Sequence, residues 1–459
     1  MASVLYYPAR SLMRLALNGF FRHIEVIGRE NLPESGPTIY IGNHPSMLMD
    51  PLVISILVKP KLHFLTAAEF MGKGFREWLL KSQFNLIPVY RRHIPEYKHI
   101  SNDEMFSACY DCLSQGKSFL IFPEGISITE NRLKPLKTGV ARILLGFQDT
   151  NPIRPVTICP IGLNYQSAHH FQSAVTVKVG QPKKLSDFSV DPNSEDAVAD
   201  LTDQIEQFLK DQIIHIENPE LDDLVKNVTR IYRHSLERSL NLSKEDTEQR
   251  FQLEQQIVHA TEYFFTRETK KVQNIASLIK EYIEEIKHSD IREHYLEEHI
   301  FKLRSSDLLT VFLLFPFFLV GIVITGVPYV VARLVFRTQI LPRLSKEETN
   351  ESIDPGFAGT LSFSIGASIF LLWFLILSLF LVIKINFWIG VIGFFWFYAL
   401  GQISLLYTTS FYRIYYRWRH KGIIKKYPDQ IAALAKKREN ILNQLDAFRI
   451  SYEQNVAQQ

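Results

Sequence analysis

Long apolar runs in the last third of the chain constrain its fold more than any other feature of the sequence. Three runs without a charged residue cover 308–332, 357–383 and 385–409, and only Lys384 separates the last two. A helix needs about 20 apolar residues to cross the ~30 Å hydrocarbon core of a bilayer, and each run is long enough. The sequence therefore predicts an integral membrane protein in which 307–411 forms membrane-embedded helices.

The distribution of basic residues bears on how these runs cross the bilayer. Arg333 follows the first run, and a dense basic cluster within 412–426 follows the third. Loops rich in Lys and Arg usually face the cytoplasm, so an odd number of crossings would put one basic segment on the wrong side. We therefore expect the first run, which contains Pro316 and Pro328, to break and return to the same face. On this hypothesis every soluble part, including any catalytic domain, faces the cytoplasm.

The amino-terminal 1–24 has the pattern of an amphipathic helix rather than of a secretory signal. Leu12, Leu17 and Phe20 recur at helical spacing, while Arg10 and Arg14 interrupt any apolar core. We expect this helix to lie in the membrane interface, with packing on the globular core as the alternative.

Short apolar runs alternate with helical patterns across 25–185, which predicts an α/β domain with a largely parallel sheet. A Ser, Asp and Pro-rich linker follows, and then a polar, soluble helical region over 197–306. The last segment, 412–459, reads as a basic juxtamembrane stretch and a helical tail. The fold class is thus an α/β domain, a helical region and a membrane-embedded hairpin region.

Bulk composition excludes several classes of protein. The net charge is only +3, which argues against nucleic acid as a partner. Three cysteines do not make a disulfide framework, and we interpret the CxxC of Cys109 and Cys112 as packing within a helix rather than as a redox or metal pair.

The strongest chemical signal is the segment "IYIGNHPSMLMDP", in which a strand ends just before His44 and Asp50 follows six positions later. Acyl transfer to an alcohol needs a base, and neutral histidine accepts a proton near pH 7. A carboxylate beside it would fix the tautomer and stabilise the imidazolium. Six residues do not stack on an ideal helix, so the pair works only if His44 lies on the turn before the helix, with Pro45 at the first helical turn. Alone, this pattern is more typical of a helix-capping His with a surface Asp.

Further strand ends carry polar residues that suit a phosphate ester. "LIPVYRR" ends in Arg91, whose guanidinium can bind phosphate through two hydrogen bonds. "FLIFPEG" supplies Glu124 and Gly125, and the latter permits close backbone approach. Ser127 and Lys137 follow before a helix start, where a basic residue can complete an anion site. Pro160 interrupts an apolar strand in "VTICPIGLNY", which predicts a sheet edge or a pocket wall.

These segments together resemble the PlsC-like glycerol-phosphate and lysophospholipid acyltransferases, over roughly 26–182. "NHPSMLMD", "IPVYRR", "FPEGIS" and "CPIGLNY" are similar to the four family blocks in their order. The resemblance implies that His44 is the general base and Asp50 its orienting partner. It implies that Arg91, Glu124 and Gly125 hold the glycerol phosphate and that Pro160 shapes the acyl-chain side. It implies neither a covalent acyl-enzyme nor a metal.

Two departures point to one branch of that family. Five residues rather than four separate His44 from Asp50, and Ile126 and Ser127 follow Gly125. Both features, and the "PLKTGVA" stretch, resemble fungal-type glycerol-3-phosphate and dihydroxyacetone-phosphate acyltransferases. The resemblance favours glycerol 3-phosphate or dihydroxyacetone phosphate as acceptor, with lysophosphatidate as the alternative.

The expected function is a membrane-bound O-acyltransferase of glycerophospholipid synthesis. The expected partners are membrane lipids, an acyl donor and a glycerol phosphate acceptor; the donor, acyl-CoA or acyl-ACP, is a co-substrate, and no other cofactor or metal is expected. A non-catalytic lipid-binding tether on a decayed acyltransferase fold is the alternative of another class. The sequence leaves the oligomeric state open.

Overall fold

The computed structural model describes residues 4–91, 94–151, 155–167, 170–289, 291, 293, 296, 305–344 and 354–456. The chain divides into two compact units. The sheet unit comprises Met1–His215 and Phe336–Ser364, and the helical unit comprises Ile216–Val335 and Ile365–Gln459. The sheet unit therefore extends past the predicted boundary at 185 and takes in a later segment of the chain.

A mixed, mostly parallel sheet forms the centre of the sheet unit. Its strands, in chain order, are β1 His23–Ile27, β2 Thr38–Gly42, β3 Leu62–Ala67, β4 Leu86–Val89, β5 Ser118–Ile121, β6 Thr157–Tyr165, β7 Ala174–Val179 and β8 Lys183–Lys184. The spatial order is β1-β7-β6-β2-β5-β3-β4, with β8 also paired to β6. Only the β6–β7 and β6–β8 pairings are antiparallel in the part of the chain that the structure describes. The predicted largely parallel sheet is confirmed, and the strands β1 and β8 had not been predicted.

Helices cover both faces of this sheet. They are α1 Tyr6–Phe20, α2 Met49–Leu57, α3 Phe75–Phe84, α4 Asp103–Ser114, α5 Gly139–Thr150 and α6 Ala197–Lys210. All five residues of β2 are buried, as expected for a central strand covered on both sides. Cys109 and Cys112 are buried within α4, so both pack in the core as interpreted from the sequence.

The amino-terminal helix α1 packs on the core of the sheet unit. Arg14 donates to the carbonyl of Ile56 at 2.6 Å, and the Tyr6 hydroxyl accepts from the Leu62 amide at 3.1 Å. Leu17 is fully buried, whereas Leu12 is 40% exposed. These contacts correspond to the alternative expectation, in which the amino-terminal helix packs on the globular core. Contact of this helix with a membrane stays a prediction.

The expectation that Pro160 marks a sheet edge is wrong. Pro160 is buried in β6, which lies between β7 and β2, and it pairs in register with Ile41. Proline has no amide donor for the ladder, but the Pro160 carbonyl accepts from the Gly180 amide at 3.0 Å.

The helical unit holds the polar helices and most of the apolar ones. Its polar helices are α7 Asp222–Ser239, α8 Thr247–Arg267, α9 Thr269–His288 and the C-terminal α14 Pro428–Val456. Ile231, Tyr282 and Ile441 are buried where α14 packs on the other three. Arg438 of α14 donates to Glu293 at 2.6 Å, and both side chains are buried.

Three helices are long and apolar enough to cross a membrane: Ser305–Ile340, Gly356–Lys384 and Phe387–Lys426. The first comprises α10 Ser305–Val335 and a π-helical turn Phe336–Ile340, after which a short α11 spans Leu341–Leu344. The second and third correspond to α12 Pro355–Lys384 and α13 Phe387–Lys426. In the helical unit α10 packs along α13, and its Asp307 lies 3.2 Å from Arg413.

The expected break in the first apolar run is wrong. α10 is one continuous helix of 31 residues that includes Pro316 and Pro328. Apolar helices tolerate such prolines because neighbouring groups satisfy the freed carbonyls.

Candidate active site

The carboxyl ends of four neighbouring parallel strands bring together most of the residues predicted from the sequence. His44 lies two residues after β2, and Glu124 lies three residues after β5, which pairs with β2. Farther along the same edge, Glu69 follows β3 and Arg91 follows β4. Ligand sites of parallel sheets lie at this edge because the loops that leave it face the same side.

His44 and Asp50 form a dyad. The Nδ1 atom of His44 lies 2.8 Å from Oδ2 of Asp50, and the carboxylate is completely buried while the imidazole is 20% exposed. α2 begins only at Met49, so His44 lies on the loop before the helix, as the dyad required. Pro45 is not in the first helical turn as expected, because three residues lie between it and the helix start at Met49. A carboxylate only accepts, so the proton of the neutral imidazole belongs on Nδ1, which leaves Nε2 as the basic nitrogen.

Asp50 is held by donors on both of its oxygens. The Ser46 amide donates to Oδ2 at 2.7 Å, and the Tyr165 hydroxyl at the end of β6 donates to Oδ1 at 2.8 Å. Burial raises the pKa of the Asp50 carboxyl, and the hydrogen bonds from His44, Ser46 and Tyr165 oppose that rise. Burial also raises the pKa of Tyr165 well above its ordinary value, so the phenol stays protonated and donates. The dyad is therefore a buried network with every donor directed at the carboxylate.

The backbone at His44 is fixed from two sides. Glu124 accepts from the His44 amide at 2.7 Å through Oε1 and from the Lys134 amide at 2.9 Å through Oε2. Asn43 exchanges two hydrogen bonds with the backbone of Leu163 in β6, at 2.9 and 2.7 Å. Burial raises the pKa of the Glu124 carboxyl. These contacts give Glu124 a positioning role; its predicted contact with substrate stays a prediction.

The imidazole of His44 also stacks on a ring. The Phe122 ring lies 4.1 Å from it, centroid to centroid, with an interplanar angle of 9°. This stacking leaves the ring edge that carries Nε2 open. In the described part of the chain Nε2 has no hydrogen-bond partner.

Two basic side chains meet at Gly125. Arg91 donates to the Gly125 carbonyl at 2.8 Å and forms an ion pair with Glu69 at 3.1 Å. Gly125 has a φ of +67°, and a Cβ there would lie 2.7 Å from Nζ of Lys137. Glycine is therefore required both by the left-handed backbone and by the close approach of Lys137. Lys137 is exposed, and both terminal nitrogens of the Arg91 guanidinium are directed at protein groups.

The loop 44–47 is braced by the loop after β5. The Ser127 hydroxyl accepts from the Met47 amide at 2.9 Å, and the Ile128 amide donates to the His44 carbonyl at 3.2 Å. Met47 has a φ of +46°, which is uncommon for a residue other than glycine. These hydrogen bonds maintain that conformation. Ser127 thus supports the loop, and its predicted contact with substrate stays a prediction.

Pro160 lies away from this cluster. Its ring packs on Gly180, where an added Cβ would lie 2.7 Å from Pro160 Cγ. Its predicted role in an acyl pocket stays a prediction. Among the described residues no group of three or more His, Cys, Asp or Glu is placed to hold a metal ion.

Asn43, Phe122 and Tyr165 were not predicted as site residues, although all three lie within or beside the sequence motifs of the site. Their positions at strand ends carried a signal, because polar or aromatic residues there face the same edge as His44.

Comparison with known proteins agrees with this geometry. Residues 23–164 match the model of the Acyltransferase family. This chain carries a PlsC-like acyltransferase domain. The matched segment of the acyltransferase domain includes all eight site residues predicted from the sequence and ends one residue before Tyr165.

The acyltransferase domain has relatives among characterised proteins. Glycerol-3-phosphate O-acyltransferase 1 of Saccharomyces cerevisiae is 22% identical over 442 residues, which cover 75% of this chain and 57% of that protein. Glycerol-3-phosphate O-acyltransferase 2 of the same yeast is 36% identical over 83 residues, 18% of this chain and 11% of that one. The chloroplastic 1-acyl-sn-glycerol-3-phosphate acyltransferase BAT2 of Brassica napus is 27% identical over 158 residues, 34% and 43% of the two chains. The chain thus spans at most 57% of the length of these relatives.

Proposed function

We propose that this protein is a membrane-bound O-acyltransferase of glycerophospholipid synthesis. It transfers a fatty acyl group from acyl-CoA or acyl-ACP to glycerol 3-phosphate, with dihydroxyacetone phosphate as a related acceptor. The observation that carries the proposal is the free Nε2 of His44, whose Nδ1 is bound to the buried Asp50. A second cluster, Arg91 and Lys137 around Gly125, lies along the same sheet edge.

The chemistry follows from this arrangement. The acceptor hydroxyl gives its proton to Nε2 of His44 while its oxygen attacks the thioester carbonyl carbon. The carbon–sulfur bond then breaks, and the thiolate takes the proton from the imidazolium to leave as a thiol. Asp50 stabilises the imidazolium in between, since it is a carboxylate held at 2.8 Å from Nδ1. The reaction needs no acyl-enzyme, metal or further cofactor.

The phosphate of the acceptor has a suitable site at Gly125. Lys137 presents an exposed ammonium there, and Arg91 can exchange its ion pair with Glu69 for a phosphate oxygen. Guanidinium and ammonium groups both bind phosphate with charge-assisted hydrogen bonds. Glycine at 125 leaves room for such an oxygen near the backbone.

The apolar helices fit the product of this reaction. An acylated glycerol phosphate partitions into lipid, so an enzyme held at the bilayer releases it where it is stable. Three helices are long and apolar enough to hold the chain there.

Lysophosphatidate is the second candidate acceptor. The similarity to a plant 1-acyl-sn-glycerol-3-phosphate acyltransferase favours it, whereas the two yeast relatives favour glycerol 3-phosphate. The non-catalytic tether receives no support from the dyad, since a decayed site would have no need of three donors on a buried Asp50.

The test is thiol release from palmitoyl-CoA by the detergent-purified chain with glycerol 3-phosphate, dihydroxyacetone phosphate or lysophosphatidate. We expect release with glycerol 3-phosphate that is lost at least a thousandfold in His44→Ala. His259→Ala, an exposed histidine on α8, is the matched control and should keep full activity. Release with lysophosphatidate alone would favour the second candidate. No release from either acyl-CoA or acyl-ACP with any acceptor would contradict the proposal.

We also propose that the acyltransferase domain and the basic segment within 412–426 face the cytoplasm, because cytoplasmic loops are rich in Lys and Arg; this orientation requires that an even number of the three apolar helices between them cross the bilayer. The native cysteines are all buried, so a single introduced cysteine reports its own position. Glu34→Cys and Gln430→Cys replace exposed residues. A membrane-impermeant maleimide should label both only after the cells are permeabilised. Labelling of either in intact cells would contradict this orientation.

A further inference from the structure

The first turns of α12 contact the loop that carries His44. This part of the helix, up to Ser364, belongs to the sheet unit. The Thr360 hydroxyl donates to the Ser46 carbonyl at 3.1 Å, and both side chains are buried. Phe363, which is 3% exposed, packs edge-on against Phe20 at 5.5 Å. The helix therefore contacts the active-site loop through a hydrogen bond and packs on α1 through an aromatic pair.

Asp354 joins this helix to the loop after β5. Its carboxylate caps α12, accepting from the Gly356 amide at 2.8 Å. The same carboxylate accepts from the Thr129 amide at 3.3 Å through Oδ2. The Thr129 hydroxyl lies 2.9 Å from Oδ1 of Asp354 and 2.8 Å from the Pro45 carbonyl, and it donates between these two acceptors. A single carboxylate thus connects the helix, the loop after β5 and the loop after His44.

Gly356 lets the helix come this close. A Cβ at this position would lie 2.5 Å from the Pro45 carbonyl oxygen and 2.6 Å from the Thr129 hydroxyl. Its φ lies outside the left-handed region, so the conflict is one of space alone. The nearest atom belongs to backbone, which cannot rotate away as a flexible side chain does. An added methyl group must therefore displace the Pro45 peptide, which is adjacent to His44.

We propose that Asp354 and Gly356 are positioning residues for His44, so that the start of an apolar, membrane-spanning helix completes the active site. This inference rests on the proposed function. Asp354 acts through Thr129 and Pro45 on the loop 44–47, which also provides the Ser46 amide that binds Asp50. The span Gly356–Lys384 begins at this contact.

The experiment compares Gly356→Ala with Gly366→Ala in the full-length, detergent-purified chain. Gly366 lies on the same helix with no atom within 4 Å of an added Cβ, so it controls for the change in helix propensity. We expect Gly356→Ala to lower kcat at least tenfold and to change the KM for acyl-CoA less than twofold. Gly366→Ala should match wild type in both constants.

A second set of variants keeps the inference testable if Gly356→Ala does not fold. Thr129→Val removes the hydroxyl that Asp354 and Pro45 share, while Thr129→Ser retains it. We expect kcat to fall three- to tenfold in Thr129→Val and in Asp354→Asn, and to stay within twofold of wild type in Thr129→Ser. The double variant Asp354→Asn/Thr129→Val should lose no more than the worse single variant, because both changes break one connection.

The outcomes separate this inference from the proposed function. If wild type has no transferase activity, the proposed function fails. If wild type is active and His44→Ala is inactive, but Gly356→Ala and Thr129→Val keep wild-type kcat, only the positioning role is overturned. A lower melting temperature with unchanged kcat would likewise overturn it, since a merely structural contact affects stability alone.

Discussion

Removal of one hydroxyl group, in Tyr165→Phe, tests whether the Asp50 network acts as described. The hydroxyl donates at 2.8 Å to a carboxylate that is completely buried. A hydrogen bond to a charged group contributes about 1.5–3 kcal/mol, so we expect a loss of ~2 kcal/mol in the free energy of unfolding near pH 7.5. For a domain of this size that corresponds to a fall in melting temperature of about 4–8 °C.

The loss should depend on pH with a defined sign. Burial already raises the pKa of Asp50 in the folded state, so folding takes up protons and stability falls as pH rises toward that folded pKa. Without the Tyr165 donor the carboxylate is less stabilised, so the folded pKa of Asp50 rises further. At pH 5 more Asp50 is protonated in the variant, and a bond between neutral groups contributes only about 1 kcal/mol. The difference in melting temperature between wild type and variant should therefore be smaller at pH 5 than at pH 7.5.

The assay combines thermal melting at both pH values with initial rates of thiol release. We expect kcat to fall about tenfold at pH 7.5, because a weakened Asp50 holds the imidazole less firmly. Tyr7→Phe is the control, since Tyr7 is 54% exposed and its ring contact with Lys61 survives the change. An equal or larger melting difference at pH 5, or a wild-type kcat, would refute the role given to Tyr165.

The remaining predictions concern the other groups of the site. Asp50→Asn should lower kcat at least a thousandfold with a small change in KM, because an amide at this position can hold the wrong tautomer of His44; wild-type rates would exclude the dyad. Arg91→Lys should raise the KM for the phosphate acceptor about tenfold and leave that for acyl-CoA unchanged, since Lys lacks the planar fork; a reversed pattern would place the phosphate elsewhere. Glu124→Gln should destabilise the domain by ~1–3 kcal/mol, because an amide cannot accept from both the His44 and the Lys134 amides, and unchanged melting would contradict this.

The sequence predicts the architecture well where the signal is local. Strands in a covered parallel sheet are short apolar runs, and six of them could be located because turns and helical patterns separate them. β1 was missed because "HIEVI" begins with a polar residue and pairs only with β7, at the sheet edge. α6 lies beyond the predicted boundary at 185 and packs on α5 and β6, a contact that leaves no mark in composition because the helix is polar on one face.

In the active site too, contacts between residues that are close in sequence could be predicted, and contacts between residues that are far apart in sequence could not. His44 and Asp50 are six positions apart, so one segment holds the whole dyad and its spacing could be examined. Tyr165 is 115 positions from Asp50, and the two meet because β6 pairs with the distant strand β2 in addition to its neighbours β7 and β8.

The contact of Asp354, at the start of the apolar helix α12, is a further example of a contact between residues far apart in sequence. Asp354 lies 225 positions from Thr129, in a stretch whose only visible feature is that an apolar run follows. A run of this kind predicts a span, yet nothing in its hydropathy distinguishes a span that merely anchors a domain from one whose first turn supports the catalytic loop. The room available for a side chain at Gly356 distinguishes the two. A helix that only anchors a domain could accept alanine there, whereas here a methyl group would lie 2.5 Å from the Pro45 carbonyl oxygen. The requirement for glycine at that single position therefore separates an anchor from a part of the active site.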